Sequence, residues 1–473
     1  MTCVRTAAGS IALLVIGCAG ADATPQPGAQ TLLAIVDVTV IPATGAPPLG
    51  GATVLIRGDR ITAVGAAATL DIPAGARVID GSGKFLIPGL IEMHGHVSKT
   101  RASALGLFIA NGVTTVRDMG GDHQELLRWR REVRSGERVG PRLLLAGPYL
   151  ESASNVERMR RDPPEARVEP FERTRIPVGS PADARRVVDS LATLELDYLK
   201  IRTVQDRDTY LAINRAADAH GLRLVGHVSG LSPELVLEAG QDGIEHFFYP
   251  LLDSLTEAER AGFWRQFAER GVAIVPTLVT LDRTANVPVA RLQEIVDDSL
   301  GAIEPRRRYL SRFLVLDWRE QVLEQSDARN ALLRRLYPSL LRNLREMHAS
   351  GMDVLVGSDV AVLNVFPGSS LHEEMALFAK DLGLSPADVL ERTTRLSARF
   401  LGIADSVGTI EPGRIADLVL LDADPLADIR NVARISAVVV RGEPSDRAAL
   451  DALLAAVEAA GDRRVNDWPR RPP

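Results

Sequence analysis

The chain has little cysteine, few aromatic residues, no excess of positive charge and no long apolar run. Its 473 residues include two cysteines, Cys3 and Cys18, both at the extreme N-terminus. The folded part therefore has no internal disulfide, and its stability must come from its core and from any bound metal. Aromatic residues make up 4% of the chain, too few for stacking platforms. Acidic and basic residues are mixed at a formal net charge of −6, which is not the footprint of a nucleic-acid binder. The early apolar run Ile11–Ile16 is too short to span a bilayer. With Arg5 ahead of it, the run has the layout of a secretory signal. Val15-Ile16-Gly17-Cys18 has the pattern of a lipobox, which would make Cys18 the lipidated first residue of the exported chain. Ordinary cleavage near Ala21-Asp22-Ala23 is the alternative. Either way the sequence predicts export to the cell envelope or periplasm, with residues 1–18 as signal and 19–31 as a flexible tether.

The remaining length suits one large α/β barrel with a smaller companion domain. Residues 32–85 read as short strands and turns, for example Ala34–Val40, Ala52–Arg57 and Arg60–Val64. From Leu86 to about residue 404, short apolar strands alternate with helical stretches, the texture of βα units around a parallel sheet. Eight candidate strands end near His96, Asp118, Gly147, Arg202, His227, His246, Thr277 and Asp359. The predicted fold class is α/β: a (β/α)8 TIM barrel with a small β-sandwich domain built from both chain ends, residues 32–85 and 405–445. A C-terminal helix and tail follow at 446–473. Two insertions interrupt the alternation. Residues 150–180 read as a poorly periodic charged loop, and residues 284–345 as a charged, largely helical segment. Both leave the barrel end where active sites lie, as a lid, a substrate wall or simply solvated surface.

In Leu90-Ile91-Glu92-Met93-His94-Gly95-His96, the two histidines are spaced to share one face of a strand. Two neutral imidazoles at that spacing suit a divalent transition metal. Metal-binding residue types also close later strands: Lys200, His227, His246 and Asp359. Taken singly, each has a plainer role, as a core histidine, a lysine seeking a carboxylate, or an aspartate capping the next helix. Their coincidence at strand ends is what points to a site, because catalytic groups converge there in barrels. His123 and His372 are candidates for the pocket edge, whereas His220 and His348 fall within or just after helices, where surface positions are expected.

With these residues in place, the chain resembles the metal-dependent amidohydrolase superfamily, and within it the imidazolonepropionase-like and Xaa-Pro dipeptidase-like branch. The resemblance runs from about Leu32 to about Gly442. It is carried by Pro88–His96, by Gly112–Asp118, by Ile244-Glu245-His246, by Gly357-Ser358-Asp359 and by Gly413–Leu418. It implies that His94, His96 and Asp359 bind one metal and His227 and His246 a second. It implies that Lys200 is N6-carboxylated and bridges the two, and that the metals are two Zn2+ ions per chain. It also implies that Asp359 is the catalytic proton shuttle. Arg202, Arg117 and Tyr249 are candidate substrate contacts, Arg202 with a neighbouring acid as its alternative partner. The expected activity is hydrolysis of an amide-type C–N bond in a dipeptide or N-acyl amino acid. The alternatives are a one-metal cyclic amide, imidazolone or lactone hydrolase and, in another class, a non-catalytic envelope binding protein. No nucleic-acid partner is expected, membrane contact would run only through the lipid anchor, and a homo-oligomer stays open.

Overall fold

A glycine splits what the sequence presents as one apolar run. Phe85–Pro88 and Leu90–Gly95 are separate strands, and Gly89 between them lies so close to Thr114 that an added Cβ would overlap it. The first strand belongs to a β-domain and the second opens the barrel, so the β-domain reaches Pro88 rather than ending at residue 85. The computed structural model describes residues 31–161, 171–246 and 255–460. The expected signal segment with Cys18, the tether up to residue 30, and Tyr249 lie outside the described residues. Among the described residues, no helix is long and apolar enough to cross a membrane.

The β-domain is one eight-stranded sheet drawn from both chain ends. Leu32–Val40 runs antiparallel to Leu49–Arg57 on one flank and parallel to Arg77–Asp80 and then Phe85–Pro88 on the other. The two ends meet where Phe85–Pro88 lies antiparallel to Leu418–Leu421, with Leu418 opposite Pro88 and Leu421 opposite Phe85. Ile435–Val440 and Glu443–Asp446 extend this edge. The sheet curls until Arg60 bridges Ile415. Strand alternation sorts its side chains. Leu33, Ile35, Val54, Ile56, Leu86, Leu418 and Leu420 share an aliphatic cluster. Ile87, Val419, Leu421 and Val438 turn the other way, into the main core that packs the barrel.

The barrel follows the predicted order. Leu90–Gly95, Val113–Asp118 and Arg142–Leu145 are parallel neighbours. So are Tyr198–Ile201, Arg223–Gly226, Gly243–Glu245, Ala273–Val275 and Asp353–Val354. The Asp197 N–H donates to Leu145 O at 2.9 Å, joining the third strand to the fourth. The Met93 N–H donates to Val356 O at 3.3 Å, and Gly95 bridges Val360, joining the eighth to the first. Ile91, Met93, Leu144, Tyr198, Val225, Val275 and Leu355 pack inside. Outer helices are set by local caps. Ser180, for example, accepts from Asp183 N ahead of Pro181 at the start of Pro181–Leu191.

One expectation needs correcting. The described parts of 150–180 are not an irregular loop: Tyr149–Ser152 and Arg175–Val178 form a parallel pair added beside Tyr198–Ile201, and helix Ala153–Arg161 follows the first of them. These strands are four residues each and mix polar with apolar side chains, and the second contains Pro177, so nothing in their local pattern marks them. The second insertion is helical as expected, through Val289–Asp297, Arg312–Leu323 and Asp327–Ala349.

Candidate metal centre

The strand ends converge because the backbone turns sharply there. His246, Thr277 and Asp359, at or just beyond the ends of the sixth, seventh and eighth strands, have φ of 59°, 51° and 59°. The left-handed region is costly for residues with a Cβ, and such strain gathers at functional sites. His227 follows Gly226, whose φ is 147° and whose missing Cβ would overlap Ile201 O, so only glycine fits there.

The imidazoles meet around one carboxylate. Asp359 Oδ1 lies 3.3 Å from His94 Nε2 and 3.2 Å from His96 Nε2, and Oδ2 lies 3.8 Å from His246 Nε2. The His246 ring centroid is 4.7 Å from that of His94 and 5.0 Å from that of His227. Each of these histidines but His227 has an anchor on its far nitrogen. His94 Nδ1 is 2.7 Å from buried Glu245 Oε2, His246 Nδ1 is 2.7 Å from Thr277 Oγ1, and His96 Nδ1 is 3.1 Å from the Tyr149 hydroxyl. A carboxylate on Nδ1–H fixes the tautomer that leaves Nε2 as a lone-pair donor. Glu245 is itself held at Oε1 by Arg117 Nη2 at 2.6 Å, while Arg117 Nε donates to Met93 O at 2.6 Å. Glu92 ties the first strand to the eighth: it accepts from His94 N at 2.9 Å, Ser358 N at 2.8 Å and Ser358 Oγ at 2.6 Å.

These residues fit a metal. His94 Nε2, Asp359 Oδ1 and Lys200 Nζ are buried without a hydrogen-bond partner, a costly state that a bound cation would relieve at the first two atoms. His94, His96 and Asp359 offer ligand atoms within 4.8 Å of one another. Burial depresses the pKa of His94 and His227 well below the usual value and that of His246 to about 4, so the imidazoles are neutral, as ligands must be. Burial also pushes the Lys200 ammonium down to about 8. For Asp359 burial raises the pKa, but His246, His96 and Lys200 outweigh it and hold the carboxyl below its ordinary range.

A model of the amidohydrolase family matches residues 85–444. The chain belongs to that family. The imidazolonepropionase of Aromatoleum aromaticum is 26% identical over 394 residues, 79% of this chain and 86% of that protein. For the imidazolonepropionase of Thermoplasma volcanium the match is 35% identical but spans 80 residues, 17% of this chain and 19% of that one. A Bifidobacterium longum protein assigned as a prolidase has a similar crystal structure, with a TM-score of 0.68 and 25% identity over 90% of this chain and 99% of that one. This amidohydrolase is therefore a hydrolase acting on C–N bonds with a divalent metal, and the reading as a non-catalytic binding protein gives way.

Not every sequence candidate joins the cluster of this amidohydrolase. Arg117 is not a substrate contact: it is buried beneath the site, bound to Glu245 and Met93 O. Arg202 lies at the rim with Glu151 Oε2 3.4 Å from its Nη1. His372 is buried in helix Ser369–Leu382, with Nε2 2.9 Å from Asn111 O, so it does not edge the pocket. His123 opens helix His123–Ser135, His220 pairs with Asp189, and His348 meets Arg392. Sequence reasoning missed Glu245, Glu92, Thr277 and Tyr149 as supports. For the two glutamates a signal existed, since each is an acid inside an otherwise apolar barrel strand within two residues of a ligand histidine.

Proposed function

We propose that this amidohydrolase is an exported, two-metal enzyme that hydrolyses the amide bond of an Xaa-Pro-like dipeptide or an N-acyl amino acid. The observation that carries the reading is Lys200, a buried amine without a hydrogen-bond partner on the fourth barrel strand. It stands opposite Val225 on the neighbouring strand, two residues before His227, and the charges of Glu245 and Asp359 act on it. An amine depressed to about 8 is partly uncharged near neutral pH, the form that adds carbon dioxide and releases a proton to give a carbamate. The carbamate supplies two anionic oxygens where a lone ammonium would repel a cation.

His94, His96 and Asp359 would hold one ion, and His227, His246 and carboxylated Lys200 the second. Imidazole and carboxylate donors suit zinc. Bound metal of this kind lowers the pKa of water and polarises a carbonyl. The chain's own part is proton transfer and alignment. Asp359 takes the proton of the attacking water and returns it to the leaving nitrogen, so one carboxylate acts first as base and then as acid. Glu245, Thr277 and Tyr149 keep the histidine rings from rotating. The prolidase assignment of the Bifidobacterium longum neighbour supports a peptide-type substrate. Export and lipid anchoring rest on Arg5, the run Ile11–Ile16 and Cys18.

The test is metal analysis by elemental methods on protein purified without its first 18 residues, with bicarbonate present, alongside Lys200→Ala. The expected result is about two ions per chain, falling to about one or fewer in the variant, with cleavage of Xaa-Pro dipeptides or N-acyl amino acids. About one ion in both proteins, with turnover of cyclic amides instead, would replace this reading by the one-metal cyclic amide alternative.

A further inference from the structure

A cavity of about 610 Å³ lies at the opposite mouth of the barrel from the metal-binding cluster. Thr114, Arg142 and Asp197 belong to its barrel wall, and each stands within a residue of the start of its strand. The metal-binding residues gather at the other ends of the strands. The remaining walls are the last turns of helix His123–Ser135 and the β-domain hairpin of Ile435–Val440 and Glu443–Asp446. A space of several hundred Å³ at a domain junction is a common setting for a small-molecule site.

Guanidiniums dominate its polar lining, and the protein's own acids answer them unequally. Arg130 and Arg138 have close carboxylates, Asp197 Oδ2 at 2.9 Å and Glu132 Oε2 at 2.7 Å. Arg142 is answered less well: Nη2 is 3.4 Å from Asp417 Oδ2, and Nε is buried without a hydrogen-bond partner. Asp417 Oδ1 is already taken by the Arg441 N–H at 2.8 Å. Arg441 Nη1 crosses to the helix end and donates to Arg134 O at 2.9 Å and Val133 O at 3.4 Å. Among the described residues its guanidinium has no carboxylate partner, and that of Arg134 has neither an ion pair nor a hydrogen bond. The third acid of the lining, Glu443, accepts from the Thr31 hydroxyl at 3.2 Å.

Arg441 also sits where its backbone is costly. Val440 pairs with Glu443, so Arg441-Gly442 is a two-residue turn with φ of 51° and 82°. The first place in such a turn favours Asn, Asp or Gly. An arginine kept there against that preference sends its guanidinium across the cavity to the helix. Between the arginines the wall is aliphatic, with Val133, Leu143, Ile403 and Val440 lining it and Val139 56% exposed at its edge.

We infer that this cavity binds an anion carried on an apolar body, a carboxylate or phosphate on an aliphatic chain, with Arg134, Arg142 and Arg441 supplying the donors. Guanidinium forks match both head groups. The head accepts from donors that the protein leaves unused, and the chain covers the aliphatic wall. The occupant is a ligand and not a substrate, because the metal-binding residues lie at the opposite ends of the strands.

The experiment is calorimetric titration of octanoate and octyl phosphate into the metal-loaded enzyme, with octanol, acetate and inorganic phosphate as partial probes. At least one amphiphile is expected to bind about tenfold or more tighter than octanol and than its own bare anion. The tighter of the two identifies the head group. The double variant Arg134→Gln with Arg441→Gly is expected to weaken that binding about tenfold or more. Its fold is expected to persist by circular dichroism, since Arg134 is exposed and glycine suits the turn better than arginine. Binding of neither amphiphile overturns the inference. So does octanol or a bare anion that binds as tightly as the amphiphile. Binding that is unchanged in the double variant also overturns it and places the anion elsewhere, as at the metal centre.

Discussion

In the β-domain, strand alternation delivers aliphatic side chains to one another; at the open end of the barrel it delivers charges. Leu33, Ile35, Val54, Ile56, Leu86, Leu418 and Leu420 form a cluster without a polar atom in its side chains. Around the barrel's strand ends, Glu92, His94, Arg117, Lys200, Glu245 and Asp359 are all buried. The first region is complete as it stands, since dispersion and the hydrophobic effect need no further partner. The second has buried polar atoms without partners and three strained residues around them, so its stability depends on what it binds. Stability and function have been placed in different halves of one strand system, with Gly89 as the boundary between them.

The contrast can be broken by substitution. The largest effect is expected for Asp359→Asn: turnover falls by about 10²–10⁴-fold while the fold and most of the metal remain, as read by kcat, circular dichroism and elemental analysis. A fully active variant removes the proton-transfer role. Next comes Arg117→Met, which leaves Glu245 buried without its cation. It should lose about 3–5 kcal/mol of unfolding free energy and, with His94 no longer held, much of its metal. Leu420→Ala should cost about 2–5 kcal/mol in denaturant unfolding, yet leave the metal content of the folded fraction unchanged. If Leu420→Ala sheds metal as readily as Arg117→Met, the two regions are not independent and the contrast fails.

The barrel and the candidate cluster were legible because short apolar strands recur along the chain and five of the eight are closed by metal-binding residue types. The structure brings His94, His96, His246 and Asp359 together, sets His227 beside His246 and buries Lys200 on the fourth strand. What stayed hidden depends on contacts between distant segments. Arg117 has the look of a substrate arginine until its burial beneath Glu245 is seen. Glu151 and Arg175 belong to strands whose pairing is decided by neighbours far along the chain, not by their own alternation. The break at Gly89 was invisible because both strands it separates are apolar, and only the approach of Thr114 explains the glycine.

The junction of Phe85–Pro88 with Leu418–Leu421 has a consequence for how the molecule is made. As the chain emerges during synthesis, Phe85–Pro88 can find Leu32–Val40 on one flank at once, but its other partner is among the last strands to appear. Leu90–Gly95, which carries His94, continues directly from it and also awaits Val356 and Val360 from the far end of the barrel. Contacts so distant in sequence form late and slowly. The first metal ligands to be synthesised are thus among the last to be seated, and a chain released before residue 418 would lack the strand that flanks their support.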